Sequence, residues 1–210
     1  MSNDSSTGGP LAFAATPAPL EGQALFRFLQ QFFLGILEAQ PGNTITGSTL
    51  FPAWQLEPNN LPAVGTDWAA FAVTDRRSDT FAWIGHVAGN EGASPPTQGY
   101  DAFQRHEELT IRVSFYGPYT GNTDANAAGL RDALQIRQNL DPLTAQAMQL
   151  VETGELITIP ELVKNQWLYR VDLSVKIRRE IVRQVLTLDL LGAGIELNNE
   201  LYVTDITVQS

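Results

Sequence analysis

Cysteine is absent from the 210 residues, so there is no disulfide framework, no thiolate metal site and no cysteine nucleophile. Histidine occurs only at His86 and His106. A metal centre needs three or four converging ligands, and His106 with Glu108 on the same strand face finds no third donor at ligand spacing. Positive charge is scarce: 13 Lys and Arg against 23 Asp and Glu leave a net charge of -10. That balance argues against gripping nucleic acid, because phosphate neutralisation needs clustered Lys and Arg. Long hydrophobic runs are missing too, since no stretch reaches the roughly 18 to 20 apolar residues that span a bilayer. The opening MSNDSSTGGP lacks a basic region followed by an apolar one, so the expectation is a soluble protein that no standard signal exports and no membrane holds.

Catalytic signatures are equally thin. No serine sits in a Gly-x-Ser-x-Gly turn, and Ser78 between Arg77 and Asp79 reads as a turn residue. No phosphate loop follows a strand, and Gly192 to Gly194 (GAG) lacks the remainder of a dinucleotide fingerprint. Glu107 and Glu108 could pair for acid–base work only on one face. Neighbours along a strand point to opposite faces, so the pair reads as solvated. Tyr116 and Tyr119 suit a binding surface, while Trp167 reads as core by its alternation. The expectation is no enzyme, no catalytic residues, no cofactor and no metal.

What is present is a globular composition, 43% hydrophobic and 17% charged, in a chain long enough for one compact domain with a sizeable core. Residues 1–20, rich in Ser, Gly, Ala, Thr and Pro without periodicity, predict an extended N-terminal arm. Residues 21–210 predict a single α+β domain.

In Glu21 to Gln40, Leu25, Leu29, Phe32, Phe33, Ile36 and Leu37 recur at helical spacing before Pro41-Gly42, which predicts a helix. Residues 43–66 and 89–99 predict long loops, the first with a short strand near Ala53 to Leu56. Trp68 to Arg76 and Thr80 to Val87 predict a hairpin turning at Arg77 to Asp79. Phe103 to Tyr116 predicts a strand with Leu109, Ile111, Val113 and Phe115 inward and Thr110, Arg112 and Ser114 outward. Asn122 or Thr123 caps a helix to about Gln138, and Asp141-Pro142 opens a second one to about Leu150. Leu156 to Ile159, Val185 to Leu191 and Leu201 to Gln209 predict short strands, with a turn at Gly192 and Gly194. The sum is a mostly antiparallel mixed sheet packed against two main helices, an α+β architecture.

The most telling stretch is Gln166 to Gln184, where Trp167, Tyr169, Val171, Leu173, Val175 and Ile177 alternate with polar and charged residues. Period-two alternation defines a half-buried strand. Its other face and continuation carry Arg170, Lys176, Arg178, Arg179 and Arg183, five of the thirteen basic residues. Positive charge gathered on one strand of an acidic chain suits recognition of an acidic patch on another subunit; it also suits a solvated sheet face. We take the five as candidate subunit or ring-interface residues.

This strand with its IRRE continuation, the short hydrophobic run and the final strand resemble the C-terminal half of the neck terminator, or tail terminator, family of long-tailed bacteriophages. Upstream, LTIRVSFYGPYTGNTDANAAGLRDALQ from Leu109 to Gln135 is similar to that family's long strand, YG-type turn and polar-capped helix. The likeness spans roughly Tyr100 to Ser210. It implies a structural virion protein of the neck, assembled in the host cytoplasm, whose subunits form a homo-oligomeric ring, usually a hexamer. Such a ring caps the tail tube and stops its polymerisation. Its implied partners are the tail tube protein, the head-completion or connector protein and, in a contractile tail, the sheath protein, while DNA passes through the lumen without specific binding. Two other readings stay open at this point: another ring-forming tail component, such as a tube, baseplate or connector subunit, and a small enzyme or ligand-binding domain.

Overall fold

A computed structural model describes residues 12–14, 19–53, 62–63, 65–79, 82–89, 99–118, 120–163, 166–187, 194–197 and 204–207. The chain divides into two compact units. The larger comprises residues 20–81 and 105–181. It opens with helix α1 (Gly22–Glu38), whose Leu25, Leu29, Phe32, Phe33, Ile36 and Leu37 are buried as their spacing predicts. Gly42 beyond the helix takes φ 78°, a left-handed turn that a side chain would resist.

Five strands form the sheet of this unit in the order β1-β2-β4-β6-β5. They are β1 (Leu50–Pro52), β2 (Trp68–Ser78), β4 (Tyr100–Gly117), β5 (Met148–Val163) and β6 (Gln166–Leu186). Strand β1 pairs parallel to β2 over Ala69 to Phe71; β2 with β4 and β5 with β6 are antiparallel. Helix α2 (Thr123–Ala133), a 3-10 turn (Arg137–Leu140) and helix α3 (Asp141–Thr144) follow β4. One hydrophobic cluster joins α1, α2 and Leu143 of α3 to Phe71, to Leu109, Ile111, Val113 and Phe115 of β4, and to Val171, Leu173, Val175 and Ile177 of β6. The helices thus cover one sheet face, and Phe33 meets Phe71 at 5.9 Å between ring centroids. Alternation on β4 and β6 places these residues on the core face, in the α+β arrangement the patterning predicts.

The smaller unit comprises residues 1–19, 82–104 and 182–210. Strand β3 (Trp83–Val87) pairs antiparallel with Tyr100 to Gln104 of β4, and β7 (Gly194–Leu197) pairs with β8 (Thr204–Thr207). Ala14 N–H donates to the Gln184 carbonyl at 2.6 Å. Phe13 meets Phe103 edge-on at 5.8 Å and lies 5.3 Å below the Arg183 guanidinium. In this unit Val185 is buried, while Trp83, Ile84 and Val87 are exposed.

Several sequence expectations are corrected. The predicted hairpin of residues 68–87 does not form, because β2 and β3 each pair with a different stretch of β4 instead of with one another. The α2 helix stops at Ala133 and α3 at Thr144. Ala147 then turns the chain at φ 53°, and Met148 already belongs to β5. Leu156 to Ile159 lies inside that 16-residue strand; register shifts between Leu150 and Glu152 and between Thr153 and Leu156 interrupt the alternation and hide its length. Val185 and Leu186 end β6, so they open no new strand, and residues 188–191 lie outside the described residues. The expected first short strand sits at β1, three residues early, with residues 54–56, like Tyr119 and Gly192, outside the described residues.

Candidate assembly interface

Strand β6 carries the five candidate basic residues, and the fold treats them differently. On the sheet face away from the helices, Arg170 donates from Nε and Nη2 to the two carboxylate oxygens of Asp172, both at 2.7 Å. Its Nη1 donates to Glu161 on β5 at 3.1 Å. The guanidinium also lies 5.5 Å from the centre of the Tyr116 ring, and Tyr116 stacks on Trp68 of β2 at 3.9 Å. Bidentate geometry of this kind binds strongly. It raises the Arg170 pKa further, chiefly through the Asp172 hydrogen bonds, against the opposing effect of burial. Burial also raises the Tyr116 pKa, with Arg170 pulling the other way. Ser114, expected outward, is on this face but buried beside the same hub.

Arg179 points the opposite way. Alternation runs on through Ile177, Arg179 and Ile181, so the arginine occupies a core-face position and is 2% exposed. Its Nε donates to Glu107 Oε2 at 2.7 Å, and its Nη1 donates to the carbonyl of Leu20, just ahead of α1. Its Nη2 lies beside the same Glu107 oxygen but off hydrogen-bonding geometry, leaving that donor unsatisfied. Glu107 sits on the core face of β4 two residues before Leu109 and is 6% exposed. The expectation that Glu107 and Glu108 are solvated is therefore corrected for Glu107. The missed signal was the parity itself: Glu107 and Arg179 fall in step with the apolar residues of their strands.

Lys176 and Arg178 remain at the surface. Lys176 Nζ donates to Glu152 of β5 at 2.7 Å, which raises the lysine pKa. Arg178 reaches Asp79 at 3.4 Å with both side chains half-exposed. Arg183, in the smaller unit, covers Phe13. Each of the five thus meets a partner within its own chain, and Arg170 and Arg179 are enclosed by theirs.

Exposed apolar residues complete the surface. Trp167 is 71% exposed, which corrects its assignment to the core: it lies at the far end of β6, in register with the exposed Leu162, beyond the reach of the helices. Ile157 and Val151 of β5 are exposed as well. A cleft of about 840 Å³ between the 3-10 turn, α3 and the start of β5 is lined by Arg137, Asp141 and Arg178 among others. His106, Thr144 and Glu180 also line it, and no group of three His, Asp or Glu able to hold a metal occurs among the described residues. No helix among them is long and apolar enough to cross a membrane.

A helix-backed α+β sheet is a scaffold whose fold alone assigns no activity. The chain belongs to the phage neck terminator protein family, whose sequence profile it matches over residues 23–200. The match takes in α1 and the sheet, well beyond the stretch from Tyr100 on which the resemblance rests. A search of curated proteins finds no match to the chain. Family membership makes it a structural protein of the phage neck, a component of the virion that works with other head and tail proteins.

Proposed function

We propose that this chain is a tail terminator: it closes into a homo-oligomeric ring, a hexamer, that caps the tail tube, halts tube polymerisation and joins the tail to the head-completion or connector protein. The observation that carries this reading is the family match over residues 23–200. Mechanism here is geometry. Head-to-tail contacts that close after a fixed rotation give a ring of set diameter; one open face matches the tube end, and the other does not template a further tube ring. The net charge of -10 supports a lumen that repels phosphate, so that DNA slides through without being held. In a contractile tail the sheath protein would be a further neighbour.

Among the five basic residues of β6, we assign the outward role to Lys176 and Arg178. Their half-exposed ion pairs can exchange a carboxylate of their own chain for one on a neighbour at small cost, since surface pairs are individually weak. Arg170 and Arg179 shape the surface from within, and Arg183 anchors the segment at Phe13.

Deleting the gene is the decisive experiment. A terminator leaves overlong tubes, or tails that fail to join heads, whereas absent tubes would identify a tube or initiator subunit and overturn the reading. Native mass and negative-stain symmetry of the purified protein test the ring directly.

A further inference from the structure

On the face away from the helices, one row of side chains crosses the sheet of the larger unit with alternating charge. Arg77 on β2 is the register partner of Glu108 on β4, and Lys176 on β6 is the register partner of Glu152 on β5. Glu108 and Arg77 are both near enough to Lys176 to act on its charge, the glutamate favouring the ammonium and the arginine opposing it. From β2 to β5 the row therefore reads plus, minus, plus, minus, and its two ends carry opposite signs.

Among the described residues, β1 covers β2 only opposite Ala69 to Phe71, and no further strand lies beyond β5. The Arg77 side chain is 79% exposed and the Glu152 side chain 56%. Arg77 spends its Nε–H on Asp75 at 2.8 Å, and both terminal nitrogens, with four of its five donors, lie outside that bond. Glu152 accepts the Lys176 hydrogen bond on Oε2 alone, so Oε1 lies outside it. Strand β5 as a whole contains Glu152, Glu155 and Glu161 and no Lys or Arg, whereas β2 presents Arg76 and Arg77 at its outer end.

We propose that the β5 flank of one copy docks on the Arg76–Arg77 end of β2 in a second copy, with Glu152 received by Arg77, so that the alternating row continues from subunit to subunit. The inference rests on the ring reading above and deepens it by naming the two surfaces. They differ from each other, which makes the contact head-to-tail, the type that closes into rings. The contact runs through side chains: Pro160 and two register shifts on β5 blunt direct main-chain pairing at that edge. Exposed Val151 and Ile157 supply apolar area beside the charges.

A charge swap on the full-length protein tests it, read by native mass and light scattering, alone and on purified tail tubes, with far-UV circular dichroism and melting temperature as fold controls. Arg77→Glu and Glu152→Arg, each alone, place like charges together and should weaken assembly by at least about tenfold per contact. The double variant should restore the ring, and rising salt should weaken wild type more than an Arg77→Leu/Glu152→Leu variant. A wild-type ring that both single variants leave intact overturns this contact while the terminator reading stands. Loss in the single variants without rescue in the double overturns the pairing as well. A wild type that is monomeric both alone and on tubes overturns the ring reading and this inference with it.

Discussion

The Arg179–Glu107 pair makes the sharpest statement about stability. Both groups are more than nine-tenths buried, on the core face of neighbouring strands, and Arg179 also holds the Leu20 carbonyl at the start of α1. In Arg179→Leu the carboxylate of Glu107 stays behind without its counter-charge, which costs about 3–5 kcal/mol. The Leu20 carbonyl loses its donor, adding up to about 1–3 kcal/mol if water cannot replace it. The two costs share one side chain and overlap, so about 4 kcal/mol is the expected loss. For a domain whose whole stability is about 5–15 kcal/mol that is a large fraction. At a urea dependence of about 2 kcal/mol/M it moves the unfolding midpoint down by about 2 M. The double change Glu107→Leu/Arg179→Leu removes both charges and should recover most of the loss, because apolar replacement of a buried ion pair is often neutral or better. Equilibrium urea unfolding followed by tryptophan fluorescence and circular dichroism measures all three proteins. If Arg179→Leu loses less than about 1 kcal/mol, or if the double variant is no more stable than the single, the pair is not the buried, mutually dependent unit described above.

Three further outcomes follow from the same physics. Arg170→Ala should destabilise by about 2–4 kcal/mol, since it leaves Asp172, 7% exposed, without its bidentate partner; Asp172→Asn in the same chain should recover part of that loss in urea unfolding. Gly117→Ala should cost about 1–3 kcal/mol: a Cβ there would collide with Asp67 Oδ1 and Thr123 Oγ1, and Asp67 cannot swing away without leaving Thr44 and Asn122. Stability should also fall under alkaline conditions. Tyr116 and Lys176 both have folded pKa values raised above their ordinary 10.0 and 10.5. The unfolded chain therefore releases these protons first, and the stabilisation present below about pH 10 is lost as pH rises through the folded values. Urea midpoints flat from neutral pH to pH 11 would refute this.

Helix α1, the inner half of β4 and the centre of β6 were legible because burial on one face leaves a local record, at spacing 3.6 or 2, in the residues themselves. The same record extended further than expected. Read through Arg179 and Glu107, the alternation marks two charges inside the core face; their type argued for solvent, their parity for burial, and parity was right. Trp167 shows the reverse failure, an apolar residue in step with the core but past the end of the helices that make it. The register shifts in β5 broke the alternation, so a 16-residue strand read as four residues and a helix end.

By itself, the order of residues determined the α+β class, the helix-facing sets on the main strands and the concentration of positive charge on β6, all of which depend on composition and short-range spacing; membership of the neck terminator family is read from the sequence too, through the profile match over residues 23–200. Tertiary structure alone decided that β2 and β3 share β4 as a partner, that Arg170 and Arg179 turn to opposite faces and are met by carboxylates of their own chain, and that the charge row ends in opposite signs at the exposed side chains of Arg77 and Glu152. These depend on which distant strands lie side by side. Strand partners are chosen by packing across gaps of tens of residues, and no local periodicity records that choice.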